Sequence, residues 1–486
     1  MLLPFRVGGP DGPDERRRTA MARRSLQVGV SVAAGVLLAG LAVLPAHANT
    51  PVACSDTALV QAINDSNGGL NDHILDLTSY CVYTLTDADG QLPTITAPLV
   101  IHGHNATIRR DPNATTNFRI IEVGATSLTM DALTVMNGNV IGASSGGGVL
   151  LNTNGGSLTT TNVNFQGNSA PAGGAIEAEG STSLSLTGGT VSDNRATVTQ
   201  GGGILVSGGV PVALDSVTVT RNRANVAGGG MYLATSLSAT VTNSTISHNT
   251  AKLAGGGMVF ISSGTLSVTS TTIADNRVSN SVEGGGALLF APDPGGSGTI
   301  TGSTISGNSV TGFTTDDSFS NLGGGIMMET GPLTLDSTTV KGNQLVGAFG
   351  HGGGIATHGN GDVPTVLNLQ NGTTLTGNLA SGRYSQGGGL YADTFNSGVS
   401  VSVDSSHIDA NRVTGTGSAA AGIYNNGGTF TALTNSSVNN NTAPIAPAPG
   451  GIYTTVAISN TSGSAFTGNT PTNCLLSPAP VTGCVG

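Results

Sequence analysis

Short runs in which apolar and hydroxyl-bearing side chains alternate fill this chain from about residue 130 to residue 470. One is Ala213-Leu214-Asp215-Ser216-Val217-Thr218-Val219, and another is Leu333-Thr334-Leu335-Asp336-Ser337-Thr338-Thr339-Val340. A period of two without a helical component predicts half-buried strands. Two markers punctuate the runs. An apolar residue, two variable residues and an asparagine recur at Asn168, Asn194, Asn222, Asn249, Asn276, Asn308, Asn343, Asn378, Asn411, Asn441 and Asn469. Successive asparagines lie 26, 28, 27, 27, 32, 35, 35, 33, 30 and 28 residues apart. A glycine cluster followed by an apolar residue recurs once per period, as at Gly203-Ile204, Gly325-Ile326 and Gly389-Leu390.

Periods of this size mean stacked coils, because one unit cannot bury its own apolar face. Short strands returning in the same order stack in parallel, and connections between parallel strands are right-handed. The chain is therefore expected to be all-β, a right-handed parallel β-helix of roughly a dozen coils over residues 131–470. Glycine supplies the bends, and asparagine is expected to tolerate the left-handed conformation and bond to the asparagine above it. Residues such as Ile326 should point inward, and hydroxyl residues such as Thr338 outward.

Residues 49–130 carry no glycine triplets and are expected to form a cap with divergent first coils. Ser55 or Asp56 caps a predicted helix over 56–64, with Leu59, Val60 and Ile63 on one face. Strands are expected at Ile74–Leu77, Val82–Leu85, Leu99–Ile101, Phe118–Ile121 and Leu128–Val135. Residues 1–48 form a leader. Arg23-Arg24, an apolar stretch from Leu26 to Leu44 and Ala46-His47-Ala48 make a secretory signal with cleavage after Ala48. Met21 is the expected start, and the arginine pair leaves a twin-arginine route open beside the general one. After cleavage no stable membrane insertion is expected.

Composition sharpens this picture. The chain of 486 residues holds 75 glycines and no Trp, and only 9% of its residues are charged, against about 25% ordinarily. Its formal charge is −10, and the six arginines and three acids of residues 1–48 mean that the rest is more acidic still. No basic stripe is present, so nucleic acid is excluded as a partner. In an exported chain the four cysteines read as disulfides. Three connectivities are open; two local bridges, Cys54 with Cys81 and Cys474 with Cys484, are expected because the repeat separates the pairs. The second bridge falls in a C-terminal disulfide tail, residues 471–486. The cysteine spacing fits no metal site, and neither metal nor cofactor is predicted.

Gly173-Gly174-Ala175-Ile176 with Phe165-x-x-Asn168 resembles the paired repeat of the chlamydial polymorphic outer-membrane proteins, in loosened form over about residues 130–470. Cys54 to Val135, and the closing Asn469-Thr-Pro-x-Asn-Cys474, resemble secreted bacterial right-handed β-helix repeat proteins. What the resemblance implies is a secreted or cell-surface β-helix with an adhesin-like role, binding an extracellular glycan or cell-surface ligand. The outer-membrane proteins end in a membrane barrel; this sequence stops at Gly486, so that anchoring is not carried over.

Parallel β-helices also host pectin lyases and polygalacturonases, so a polysaccharide lyase or glycoside hydrolase is the alternative. A hydrolase site wants paired aspartates, Gly-His-Gly and Arg-x-Lys. Asp316-Asp317 and Gly350-His351-Gly352 supply the first two, but after His351 the basic residues are Arg383 and Arg412. Gly352 also belongs to the repeat. Asp87 and Asp89 read as a turn rather than a calcium loop. Charges beside the asparagine turn, such as Asp193 and Arg221, read as a solvated edge. Thr-x-Thr runs raise an ice-binding face, which the uneven coil lengths oppose. Tyr391, Tyr424 and Tyr453 each stand two residues beyond a glycine cluster in consecutive coils. They form either a stiffening aromatic ladder or a ligand surface. Coils lengthen between Asn276 and Asn411, and insertions on a solenoid gather on the binding face. The ligand-surface candidates are therefore Tyr391, Tyr424, Tyr453, Asp316, Asp317 and His351, with no catalytic residue assigned.

The mature chain should begin at Asn49 and contain no free thiol. N-terminal sequencing and thiol titration of exported protein check both; an intact Met1 or Met21, or two titratable thiols, would refute the reading.

Overall fold

Each period folds into one coil whose short strands pair in parallel with their equivalents in the coils before and after. Ile204–Gly208 pairs with Ile176–Gly180 on one side and Met231–Thr235 on the other. The same holds for Val212–Asp215 and Thr218–Thr220. The result is an all-β parallel solenoid of about 13 turns. The computed structural model describes residues 49–486 apart from 143–144, 153–154, 236, 282–283, 313–320, 360–362, 396 and 445–447. Twelve strands, from Ile121–Val123 to Ile452–Thr454, form the sheet that follows the glycine clusters. A 24-stranded sheet holds the two strands per coil that come next, and nine short strands after the asparagines form a third.

The asparagine ladder runs as the repeat predicts. Each asparagine from Asn168 to Asn441 is buried and donates its Nδ2 to the Oδ1 of the next, at 2.9–3.1 Å. The same Oδ1 also accepts the backbone N–H of the asparagine below, as Asn343 Oδ1 does from Asn308 N at 3.0 Å. Each Nδ2 donates in addition to the carbonyl of the apolar residue that opens the previous coil's turn, as Asn343 does to Ile305 O. The left-handed conformation belongs instead to the residue before the asparagine: Asp193 (φ 60°), His248 (56°) and Gly342 (61°). The asparagine itself is committed to axial bonding, so the tight bend falls one residue earlier.

The glycine clusters have two separate reasons. The first glycine takes a positive φ, 66° at Gly201 and 75° at Gly352. The second is pressed against the next coil: a Cβ on Gly202 would lie 2.2 Å from Gly229 O. Ala420-Ala421 is the exception in both roles.

The outward reading of Thr338 is wrong. Thr338 is fully buried, and its Oγ1 bonds to Ile300 O at 2.9 Å and Asp336 O at 3.0 Å while accepting from Ser303 N. It belongs to a second ladder of buried hydroxyls, Ser244, Thr271, Ser303, Thr338, Thr373, Ser406 and Ser436, each five residues before a ladder asparagine. These hydroxyls satisfy backbone groups at the bend between the two strands of the doubled sheet. The half-exposed position is Thr339.

Inside, Ile326, Met258, Leu335 and Val340 are fully buried, as alternation requires. Phe260 and Phe290 stack across coils at 5.7 Å, and Gly298 leaves room for the Phe290 ring. The cap helix runs from Asp56 to Asn67, three residues beyond expectation, with Ser55 Oγ accepting from Ala58 N. Its buried face is Leu59, Ala62, Ile63 and Ser66; Val60 is half-buried. The expected strand at 118–121 begins only at Ile121. Arg110 holds the preceding loop by donating to Ala114 O and Thr116 O beneath the Phe118 ring. Cys54–Cys81 and Cys474–Cys484 are bridged. At the far end Asn469 donates to Asn473 Oδ1, and Asn473 donates to Val485 O.

Replacing Asn343 by Leu strands the backbone N–H of Asn308, worth about 1–3 kcal/mol when buried without a partner, and removes the amide bond to the Ile305 carbonyl. Urea unfolding should show that loss, a comparable one for Thr338→Asp, and less than about 1 kcal/mol for Thr339→Asp. Equal effects at 338 and 339 would refute the register.

Candidate functional site

On the twelve-stranded sheet, the residue after each inward apolar one faces away from the core. The register aligns Glu122, Leu150, Glu177, Leu205, Tyr232 and Val259 in one column. Leu289, Met327, Ala356, Tyr391, Tyr424 and Tyr453 continue it. Its middle is covered. Val259, Leu289, Met327, Ala356 and Tyr391 are buried in a second apolar cluster with Ala227, Ala254 and Leu322, from the segments that precede the glycines. The chemistry of the column is therefore open at its two ends.

At the C-terminal end the tyrosines stack as their spacing predicts. Tyr391 and Tyr424 are 5.6 Å apart at 11°, and Tyr424 and Tyr453 are 4.7 Å apart at 6°. They differ in access. Tyr391 is only 4% exposed, whereas Tyr424 and Tyr453 are half-buried. Burial raises the Tyr391 phenol well above its ordinary value and pushes that of Tyr424 up to about 12. Tyr424 and Tyr453 line a groove of about 450 Å³ with Gln386, Ser418, Ala419 and Pro478.

His351 completes the stack from below, its ring 4.3 Å from that of Tyr391. It is not on a solvated loop. Burial pushes it down to about 4, against the nearby Asp393 carboxylate, so the imidazole is neutral at pH 7. His358 Nδ1 lies 3.3 Å from Asp393 Oδ2, off the line of a well-formed hydrogen bond. Burial raises the Asp393 carboxyl, but His358 and a 2.9 Å bond from Asn426 outweigh it and hold it below the usual range. Asp316 and Asp317 lie outside the described residues. The leader with its Ala48 site does too.

The Asp87 carboxylate takes four bonds from the amides and hydroxyls of Thr115 and Thr116, which hold it well below the usual range. Asp89 binds back to Thr86. Asp89 is spent within its own turn, and Asp87 on the Thr115-Thr116 segment of the following coil. Arg221 pairs with Asp193 through Nε and Nη2, each at 2.8 Å, on an exposed edge worth about 0–1 kcal/mol.

At the N-terminal end lies a site that the sequence reading missed. Arg119, Glu122, Leu150, Asn152, Glu177 and Glu179 line a cleft of about 230 Å³ together with Ser145. Glu177 is 3% exposed and its Oε2 has no hydrogen-bond partner. Arg119 is 8% exposed; its Nη1 lies 3.6 Å from Glu122 Oε2 without forming a hydrogen bond. Gln91 and Asn152 donate to the Glu122 carboxylate. Burial, a hydrogen bond with Glu179 and its charge push Glu177 up to about 8, against the pull of Arg119. The signal was present: Glu177 follows a glycine cluster where the later coils carry Leu, Tyr, Val, Met or Ala.

No protein-family model matches the chain, and no curated protein does. Among solved structures it is similar to the A-module of the mannuronan C-5 epimerase AlgE6 from Azotobacter vinelandii, at 13% identity. That match covers 85% of this chain and 94% of the other, with a TM-score of 0.26.

Two buried groups set opposite pH limits. Glu177, raised in the fold, contributes stability that is complete below about pH 4.5 and lost as pH rises through about 8. His351, lowered in the fold, costs stability as pH falls from about 6.5 through about 4. Thermal melts should therefore show Glu177→Gln flattening the alkaline limb alone. Retention of the wild-type alkaline slope would refute the assignment.

Proposed function

We propose that this is an exported β-helix protein that binds an extracellular glycan or cell-surface ligand, in an adhesin-like role without a catalytic step. One observation carries the reading: Tyr424 and Tyr453 present stacked, half-buried rings to a groove whose polar groups are Gln386 and Ser418. An apolar wall with a few convergent polar groups is the usual make-up of a small-molecule site. Aromatic faces take the C–H faces of sugars, and Gln and Ser supply both donors and acceptors for hydroxyls. Two disulfides support an oxidising, extracellular setting. Among the described residues no helix is long and apolar enough to cross a membrane.

The buried Tyr391 is assigned to the stack rather than to the surface. Its place against His351 extends the rigid wall on which Tyr424 leans. The long coils support the site by covering the middle of the column and leaving the groove open beyond them.

On a polysaccharide array, Tyr453→Ala should weaken binding at least about tenfold, equivalent to ~1.4 kcal/mol, while stacking lost from the fold is about 0.5–1.5 kcal/mol. Tyr391→Ala should instead lower the melting temperature markedly. Unchanged binding by Tyr453→Ala, with unchanged melting, would reject the groove.

A further inference from the structure

The cleft at the other end of the column holds two unsatisfied polar atoms of opposite character. Glu177 Oε2 is a buried acceptor without a donor, and Arg119 Nη1 is a buried donor without an acceptor. Buried polar atoms are nearly always bonded, and leaving one unpaired is costly. Neither is idle by neglect: Glu177 is otherwise engaged with Glu179, and Arg119 sits beside Glu122. Both residues line the same cleft. We infer that this cleft is a binding site for a neutral, hydroxyl-rich ligand, one residue of a sugar.

Charge decides against the other classes. An anion reaching Arg119 would pass the carboxylates of Glu122 and Glu179, which line the same walls. A cation would meet the Arg119 guanidinium and a Glu177 that burial keeps protonated at neutral pH. Among the described residues no group of His, Cys, Asp and Glu could hold a metal ion. A hydroxyl is the group that accepts and donates through one atom. One sugar hydroxyl can take the Arg119 N–H and give its proton to Glu177 Oε2, while its neighbours reach Glu122 and Asn152. At about 230 Å³ the cleft is below the ~300–1,000 Å³ of drug-sized sites, which suits a single ring.

The site is separate from the tyrosine groove. Eight strand pairings lie between Glu177 and Tyr424 in the register, and at about 4.8 Å each they span roughly 40 Å. Either site can fail without the other.

The test uses the mature protein near pH 6.5 with cellotetraose, mannotetraose and xylotetraose, observed by saturation-transfer NMR and calorimetry. Glucuronate and glucosamine serve as the charged probes. At least one neutral tetraose should bind in preference to both. Glu177→Gln, which keeps a neutral carbonyl acceptor, should stay within about threefold of wild type. Glu177→Leu and Arg119→Leu should each lose at least tenfold, and Tyr453→Ala should leave this binding unchanged. The guanidinium ¹⁵N signals of Arg119 in the wild type should shift on adding the sugar, which decides the matter if a Leu variant fails to fold. Preference for either charged probe, no binding of any neutral tetraose, an unmoved Arg119 signal or a tenfold loss in Tyr453→Ala would each overturn the inference. The last outcome would leave the tyrosine groove standing, whereas lost binding confined to the cleft variants would not touch it.

Discussion

The amide-to-amide hydrogen bond that links each ladder asparagine to the next fixes where every other residue in a coil can lie. It is buried, so it has no water to fall back on, and its 2.9–3.1 Å length holds neighbouring coils at one separation. The backbone N–H of each asparagine uses the same acceptor, which ties main chain and side chain to one register. The glycine clusters follow from this. A Cβ on Gly354 would stand 3.0 Å from Asn378 Nδ2, and one on Gly230 equally close to Asn249 Nδ2. The last glycine of each cluster thus meets both the next coil's backbone and its ladder asparagine. Ala175 and Ala287 in the same place show that the contact can yield for a methyl.

Such a frame tolerates variable coil lengths because only the bonded points must coincide. Asn308 and Asn343 are 35 residues apart and Asn168 and Asn194 are 26 apart, yet their bonds are alike. The surplus residues are free to cover the outward face of the twelve-stranded sheet. The segments just before the glycines, with Ala227, Ala254 and Leu322, turn the middle of the column into a second apolar cluster. Side chains of the column are accessible at its ends, where the cover stops.

What could be read in the sequence was whatever repeats with one chemistry at one spacing. The asparagines, the glycines, the inward Ile and Val positions, the cap helix and the local cysteine pairs all meet that test. The hydroxyl ladder repeats as well, five residues before each asparagine from Asn249 to Asn441, but Ser and Thr also fill the exposed positions beside it. Composition could not separate Thr338 from Thr339 because either face of a strand accepts threonine. The tyrosine column was visible as a column, while the burial of Tyr391 depended on loops that share no pattern between coils. His351 looked like part of a motif and is held in a stack. Arg119 and Glu177 were the hardest to find, since they lie 58 residues apart and their meeting is a matter of register. The clue was a pair of charges, Glu122 and Glu177, on a column that is otherwise uncharged.

Every ladder bond joins residues no more than 38 positions apart in the chain, from Asn168–Asn194 to Asn378–Val340. No coil waits for a distant segment before it can complete its pairing. The chain can therefore assemble from its N-terminal end onward, each new coil closing on a finished one, with the bridged N-terminal cap as the first template. Vectorial growth of this kind needs no partner chain and leaves only one unfinished edge at a time, the state in which sheet proteins are most exposed to misassociation.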